Sequence, residues 1–248
     1  MSDAAETLTG RFDWIRRGAV PPRLPADLID RYKRLEDLSS TVSDVLDQLG
    51  RRGAVGASAL APTLPNERIV GPAVTVRNVE QTAEPFANAQ AKQGRMVEVL
   101  ATALAEPGDV LLIEGVRHVS NMGGLSATVA QRQGLAGAVV DGGVRDVGHS
   151  REIGFPIWSR DVSPVTGKWR CITQEVNGPV TLANLTVWPG DLVIADETGV
   201  CFVRRDDAEE VLRRCEQIAA NEAELVGKIE GGLGIDQFLE DIYGKQAI

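Results

Sequence analysis

The sequence predicts an α/β protein in which a mixed sheet lies under helical cover, and three features of the chain carry that expectation. Short aliphatic or β-branched runs alternate with helical periodicity through the middle of the chain. From about Asn177 the strand-like runs follow one another without helices and read as antiparallel. Helical patterns stand at both ends.

Taken in order, the first 60 residues read as helical. A helix is expected through "ADLIDRYKRLEDL". A second is expected in "TVSDVLDQLG", with a capping box at Thr41 and Asp44, apolar Val42, Val45, Leu46 and Leu49 at helical spacing, and Gly50 as the stop. From Ile69 the texture changes to glycine-separated strands: "IVGPAVTVRNV", "DVLLIEG", "LAGAVVDGG", "FPIWSR", "LTVWPGDLVIAD" and "GVCFVRR". Helical patterns lie between some of them, in "QGRMVEVLATALAE" and "LSATVAQRQG". The turn Pro-Gly-Asp occurs twice before an aliphatic strand and reads as one favourable turn used twice. Asp206 to Glu230 reads as a long helix with acids at its start, ended by Gly231, Gly232 and Gly234. Its stripe of Val211, Cys215, Ile218, Leu225 and Ile229 is interrupted by Glu222, an acid that either has a polar destination or faces solvent.

Composition narrows the function classes. At 248 residues, 43% hydrophobic and 25% charged, the chain can bury an ordinary core. A formal net charge of -9 argues against a nucleic-acid partner held through its phosphates, because there is no basic excess to displace counterions. No apolar run approaches the roughly 20 residues that cross a bilayer, and the first residues lack a signal-peptide core. A cytoplasmic protein without a membrane partner is therefore expected. Cys171, Cys201 and Cys215 have neither the number nor the spacing of a disulfide framework or zinc site and read as buried hydrophobes. With only His118 and His149, a three-histidine metal centre is impossible, so a metal would be held mostly by oxygen.

The chemistry-bearing segment is Asp109 to Gly154, read as strand, loop, helix, strand, loop and helix. If its two strands are parallel neighbours, both loops emerge at the same sheet edge and face one cleft. The first loop ends in Gly123 and Gly124 at a helix start, either a site where free N–H groups receive an anion or simply a tight turn. The second supplies Arg145, whose fork suits a carboxylate or enolate oxygen, and Asp146, which suits a hard cation with a mostly aqueous shell. Asp141 reads as a ligand or a turn residue at its strand's end. His118 and Asn121 read as substrate contacts or solvated loop positions, and Lys168 as a residue of a polar turn. Trp158, Trp169 and Trp188 are expected to pack.

The stretch "NMGGLSATVAQRQGLAGAVVDGGVRDVGHSREIGFPIWSRDVSPVTGKW", with "PVTLANLTVWPGDLVIADETGVCFV", resembles the 4-hydroxy-4-methyl-2-oxoglutarate / 4-carboxy-4-hydroxy-2-oxoadipate aldolases and the related regulator of RNase E activity A-like proteins. The resemblance spans about Ser39 to Gly244. It implies an α/β/β/α sandwich, a homotrimer or homohexamer, and a site between subunits that holds Mg2+ or Mn2+. By it, Asp146 ligates the metal and Arg145 engages the oxo oxygen of a 2-oxo acid, while N–H groups of Gly123, Gly124 and Leu125 take the carboxylate. Glu222 is the candidate for an acid contributed by a neighbouring subunit.

The implied activity is retro-aldol cleavage of a 4-hydroxy-2-oxo acid, with oxaloacetate decarboxylation through the same enolate. The alternative is the non-catalytic binding role of the relatives that inhibit RNase E. The implied organisation is a helical extension over 1–38, one domain over 39–230 and a tail over 231–248 packing on a neighbour. The chain departs from the family pattern at Gly124, where an acid is usual, which leaves Glu114 or His118 as possible suppliers of that acid's role.

Overall fold

The structure, a computed structural model, describes residues 12–244. In chain order its elements begin with strand β1 (Arg16–Arg17), helices α1 (Ala26–Lys33) and α2 (Leu38–Gln48), and strands β2 (Ala54–Gly56), β3 (Ala61–Pro62) and β4 (Ile69–Glu80). Helix α3 (Pro85–Gln90) and a 3-10 turn at Glu98–Ala103 lead to β5 (Val110–Glu114), β6 (Ser120–Met122), α4 (Gly124–Arg132), β7 (Gly137–Val144), α5 (Val147–Glu152) and β8 (Ile157–Val162). Strands β9 (Cys171–Val176), β10 (Val180–Leu182), β11 (Leu185–Val187), β12 (Leu192–Ala195) and β13 (Gly199–Val203) follow, then helices α6 (Ala208–Glu230) and α7 (Ile235–Tyr243).

Strands β4, β5, β7 and β8 pair in parallel, as crossover helices require, whereas β12, β13 and β2 form an antiparallel flank joined to β4. The 12-residue β4 belongs to both, pairing with β12 through Ile69 to Pro72 and with β9 from Val76 to Glu80. Alternation along the strands then sorts side chains into layers. Leu111 and Ile113 face the helical side with Ala127 and Ala130, whereas Val110 and Leu112 face the other sheet with Val193 and Phe202. Leu192 and Ile194 face a third layer, where Leu28, Val42, Val45, Val211 and Leu212 supply helical cover. Three apolar layers between four tiers make the α/β/β/α sandwich, and each fully buried aliphatic contributes about 1.5–3 kcal/mol to it.

Several local expectations are corrected. The opening 60 residues are not uniformly helical, since β1 and β2 are strands there. Helix α2 begins three residues before the expected cap: Asp37 is its N-cap, and the Thr41 hydroxyl donates to the Asp37 carbonyl at 2.7 Å from inside the first turn. Gly50, at φ 64°, ends it as expected. Of "QGRMVEVLATALAE" only Glu98–Ala103 is helical, because Arg95 bridges to Ile172 and the Val97 N–H is taken by the Thr173 hydroxyl at 2.7 Å. "DGGV" is not a turn; β7 continues through Val144 with a register shift between Val140 and Gly143.

Helix α1 packs into the same core as the domain, with Leu28 and Tyr32 buried; of the terminal segments 1–38 and 231–248, residues 1–11 and 245–248 lie outside the described residues. All three cysteines are free and buried, and burial pushes each thiol up to about 12. Trp158 is fully buried, Trp169 is half-buried and Trp188 is exposed, so packing describes only part of that set.

Candidate active site

The two junctions meet because β6 folds back alongside the end of β7. Ser120 pairs with Gly143 and Met122 with Val144, and the Arg145 N–H donates to the Met122 carbonyl at 3.1 Å. The glycines of "DGG" are required by this approach. A Cβ on Gly142 would stand 2.5 Å from Asn121 Nδ2, and one on Gly143 would stand 2.5 Å from the Val119 carbonyl oxygen.

Gly123, Gly124, Leu125, Arg145 and Asp146 thereby line one cavity of about 290 Å³. Asp146 takes the left-handed backbone conformation, φ 55° and ψ 36°, which asparagine and aspartate tolerate better than most residues. From there its Oδ2 accepts the Gly124 N–H at 2.9 Å and lies 3.6 Å from Arg145 Nε. The Gly124 N–H is therefore not free for a substrate carboxylate. Among the described residues, the next amides of the helix start, those of Leu125 and Ser126, have no acceptor.

The other sequence candidates lie elsewhere. Asn121 is fully buried: its amide oxygen accepts the Val116 N–H at 2.9 Å, and its nitrogen donates to the carbonyls of Val116 and Val119 at 2.7 and 3.0 Å. It clamps the loop and is not presented to the cavity. His118 is exposed and stands 3.9 Å from Asp161. Glu114 accepts Arg77 Nε at 3.1 Å and the Thr181 N–H at 2.7 Å, so neither supplier considered for the missing acid lines the cavity. Asp141 is ion-paired with Arg160 and accepts the Ala183 N–H at 2.6 Å, as a positioning group for the β10–β11 hairpin. That hairpin turns through Ala183 and Asn184, both left-handed at φ 47° and 67°. Glu222 is exposed on the distal part of α6 and lines other surface depressions, not this cavity of its own chain.

Sequence reading missed Glu98, Ser126 and Thr166 in the cavity wall and set Lys168 aside, although it lines the wall with its Nζ 4.6 Å from the Trp169 ring centroid. One signal was present: Glu98 is a lone acid inside the apolar run "MVEVLATALA".

Among the described residues no group of three or more His, Cys, Asp and Glu forms a cage. Asp146, half-exposed and with one carboxylate oxygen engaged, fits a sparse magnesium-type shell completed by water and substrate oxygens.

An α/β/β/α sandwich with an arginine–aspartate pair facing a helix start across a polar cavity defines the class of protein. The chain belongs to the family described as RraA-like, Aldolase/RraA, which matches residues 39–202, more than half of its length. It is 29% identical over 199 residues to a Halalkalibacterium halodurans protein named "Putative 4-hydroxy-4-methyl-2-oxoglutarate aldolase", covering 79% of this chain and 85% of that protein. It is 27% identical over 205 residues to protein DlpA of Legionella pneumophila, covering 82% of this chain but only 32% of that protein. Among solved structures it is similar to RraAS2 of Streptomyces coelicolor, described as an unusual member of the RNase ES inhibitor RraA protein family. That likeness has a TM-score of 0.68 at 25% identity and covers 86% of this chain and 100% of that one. Among the described residues no helix is long and apolar enough to cross a membrane.

Proposed function

We propose that the chain is a divalent-metal-dependent carbon–carbon lyase that cleaves a 4-hydroxy-2-oxo acid to pyruvate and a carbonyl product, and decarboxylates oxaloacetate through the same enolate. The observation that carries the reading is the placement of Arg145 and Asp146 opposite the start of α4 in one cavity. Asp146 would hold the metal, which supplies Lewis-acid stabilisation of the 2-oxo group when bound. The Leu125 and Ser126 amides, at the positive end of α4, receive the 1-carboxylate. Arg145 faces the 2-oxo oxygen and stabilises the negative charge that collects there as the C3–C4 bond breaks. Lys168 adds a second cation to the wall, which suits an acid with more than one carboxylate. Glu222 acts from a neighbouring copy in a trimer or hexamer whose sites lie between subunits.

The second reading, a non-catalytic regulator, is supported by the likeness to RraAS2. Lactate-dehydrogenase-coupled pyruvate release from oxaloacetate and several 4-hydroxy-2-oxo acids, with and without Mg2+ or Mn2+, separates the two. Metal-dependent release supports the lyase, and no release from any of them favours the regulator.

A further inference from the structure

The cavity wall holds a second acid whose surroundings differ from those of Asp146. Glu98 is 5% exposed, although it opens a turn whose neighbours Val97 and Leu100 pack into the helical-side core. Its Oε1 accepts the Ser126 hydroxyl, and among the described residues no Lys, Arg or His is ion-paired with it. Ser126 belongs to the first turn of α4, so this hydrogen bond holds Glu98 beside the helix start where the substrate carboxylate is placed.

We propose, on the basis of the lyase reading above, that Glu98 is the catalytic acid that delivers a proton to C3 of the pyruvate enolate. A buried carboxylate without an ion-paired cation is costly to keep ionised, so burial favours the neutral acid. Burial raises its pKa above the ordinary 4.5, and the Ser126 hydrogen bond and the Arg145 charge oppose that shift only in part. A neutral carboxyl is a poor metal ligand and does not repel a substrate carboxylate; it is a hydrogen donor. With Oε1 accepting from Ser126, the transferred proton is assigned to Oε2 of this cavity-lining side chain.

The proton balance closes. The Oε2–H bond breaks as the C3–H bond forms, the C2–C3 π pair becomes the new C–H bond, and the C2 oxygen returns to a carbonyl. Glu98 is left as a carboxylate in the field of Arg145 and regains a proton from water after pyruvate leaves. In aldol cleavage that proton offsets the one lost from the C4 hydroxyl. In oxaloacetate decarboxylation the solvent supplies it. The charged or titratable groups facing Glu98 are Arg145, Asp146 and Lys168 in the same wall and Cys171 on β9, whose thiol burial pushes up.

The test is exchange of the pyruvate methyl hydrogens in D2O, followed by proton NMR with the Mg2+-loaded protein. Oxalate affinity, as an enolate mimic, and the thermal midpoint are measured in parallel. Glu98→Gln is expected to lose exchange by about 100-fold or more, within the usual range for a general acid, while oxalate affinity stays within about twofold. Exchange near the wild-type rate in Glu98→Gln, or oxalate affinity lost in step with exchange, overturns the assignment. Should Glu98→Gln not fold, Ser126→Ala serves instead: losing the hydrogen bond moves the alkaline limb of the exchange profile to higher pH, and an unmoved limb overturns the proposal. A wild-type protein that neither exchanges nor releases pyruvate refutes the lyase reading itself and the Glu98 role with it.

Discussion

The main-chain N–H of Gly124 donates to Oδ2 of Asp146 at 2.9 Å, making the start of α4 and the β7–α5 junction one unit. Position 124 is crowded by the same packing: a Cβ there would lie 3.0 Å from His149 Cδ2 and 3.3 Å from Asp146 Cβ, so the exposed His149 ring would have to give by a few tenths of an ångström. His149 is itself held by Thr128, whose hydroxyl donates to the Gly124 carbonyl at 2.8 Å and lies 2.9 Å from His149 Nε2. A histidine ring held by Thr128 thus packs beside the glycine at the start of α4.

Arg145→Ala is expected to lower kcat/KM for pyruvate release by about 10²–10³-fold, the scale of losing a preorganised donor to a developing oxyanion. The thermal midpoint moves by no more than about 2 °C, because the side chain is partly exposed and, among the described residues, its one ion pair is with its sequence neighbour. Arg145→Lys does not restore the rate if the guanidinium fork is what matters.

Asn121→Ala is expected to destabilise the protein by about 2–4 kcal/mol, since the Val116 N–H and two carbonyls lose their partners in a buried place. Urea unfolding followed by circular dichroism measures this. A loss below about 0.5 kcal/mol contradicts the clamp, because that is the ordinary effect of a surface change.

Burial raises the Glu98 pKa above 4.5, and the sign of the linkage follows. The native state holds this proton more tightly than the unfolded chain does, so its contribution to stability is complete below pH 4.5 and is lost as pH rises through the folded value. Glu98→Gln cannot ionise. Its thermal midpoint relative to wild type is expected to rise as pH increases above 4.5, and a difference independent of pH refutes a raised Glu98 pKa.

Exhaustive chelation with EDTA is expected to abolish pyruvate release, and added Mg2+ or Mn2+ to restore it. Full activity after chelation removes the metal from the scheme.

Glu222→Ala tests the neighbouring-copy role. Lower kcat with an unchanged assembly size by light scattering supports it, and full activity with full assembly excludes it.

The strands were legible because both faces of β5, β7 and β12 are buried, which writes continuous aliphatic runs into the sequence. Where reading failed, tertiary contacts had overridden local pattern. The segment before Glu98 has helical periodicity but is tied to β9 through Arg95 and Val97. Asp141-Gly142-Gly143 has turn composition, yet the glycines answer the close passage of the Val116 to Asn121 loop. Arg145 and Asp146 were recognisable from chemistry and adjacency. Asn121 was misplaced because a polar residue in a loop gives no sign that its partners are buried main-chain groups. Glu98 was missed because its meaning depends on a helix that follows it in the chain.

The hairpin held by Asp141 has a consequence for engineering. Ala183 sits in a backbone region that costs an L residue with a Cβ about 1–2 kcal/mol, and it is kept there by the N–H it gives to Asp141. The chain thus stores strain at a point lining neither Arg145 nor Asp146, and replacing Ala183 with glycine or asparagine gives a route to a more thermostable variant that leaves the cavity untouched.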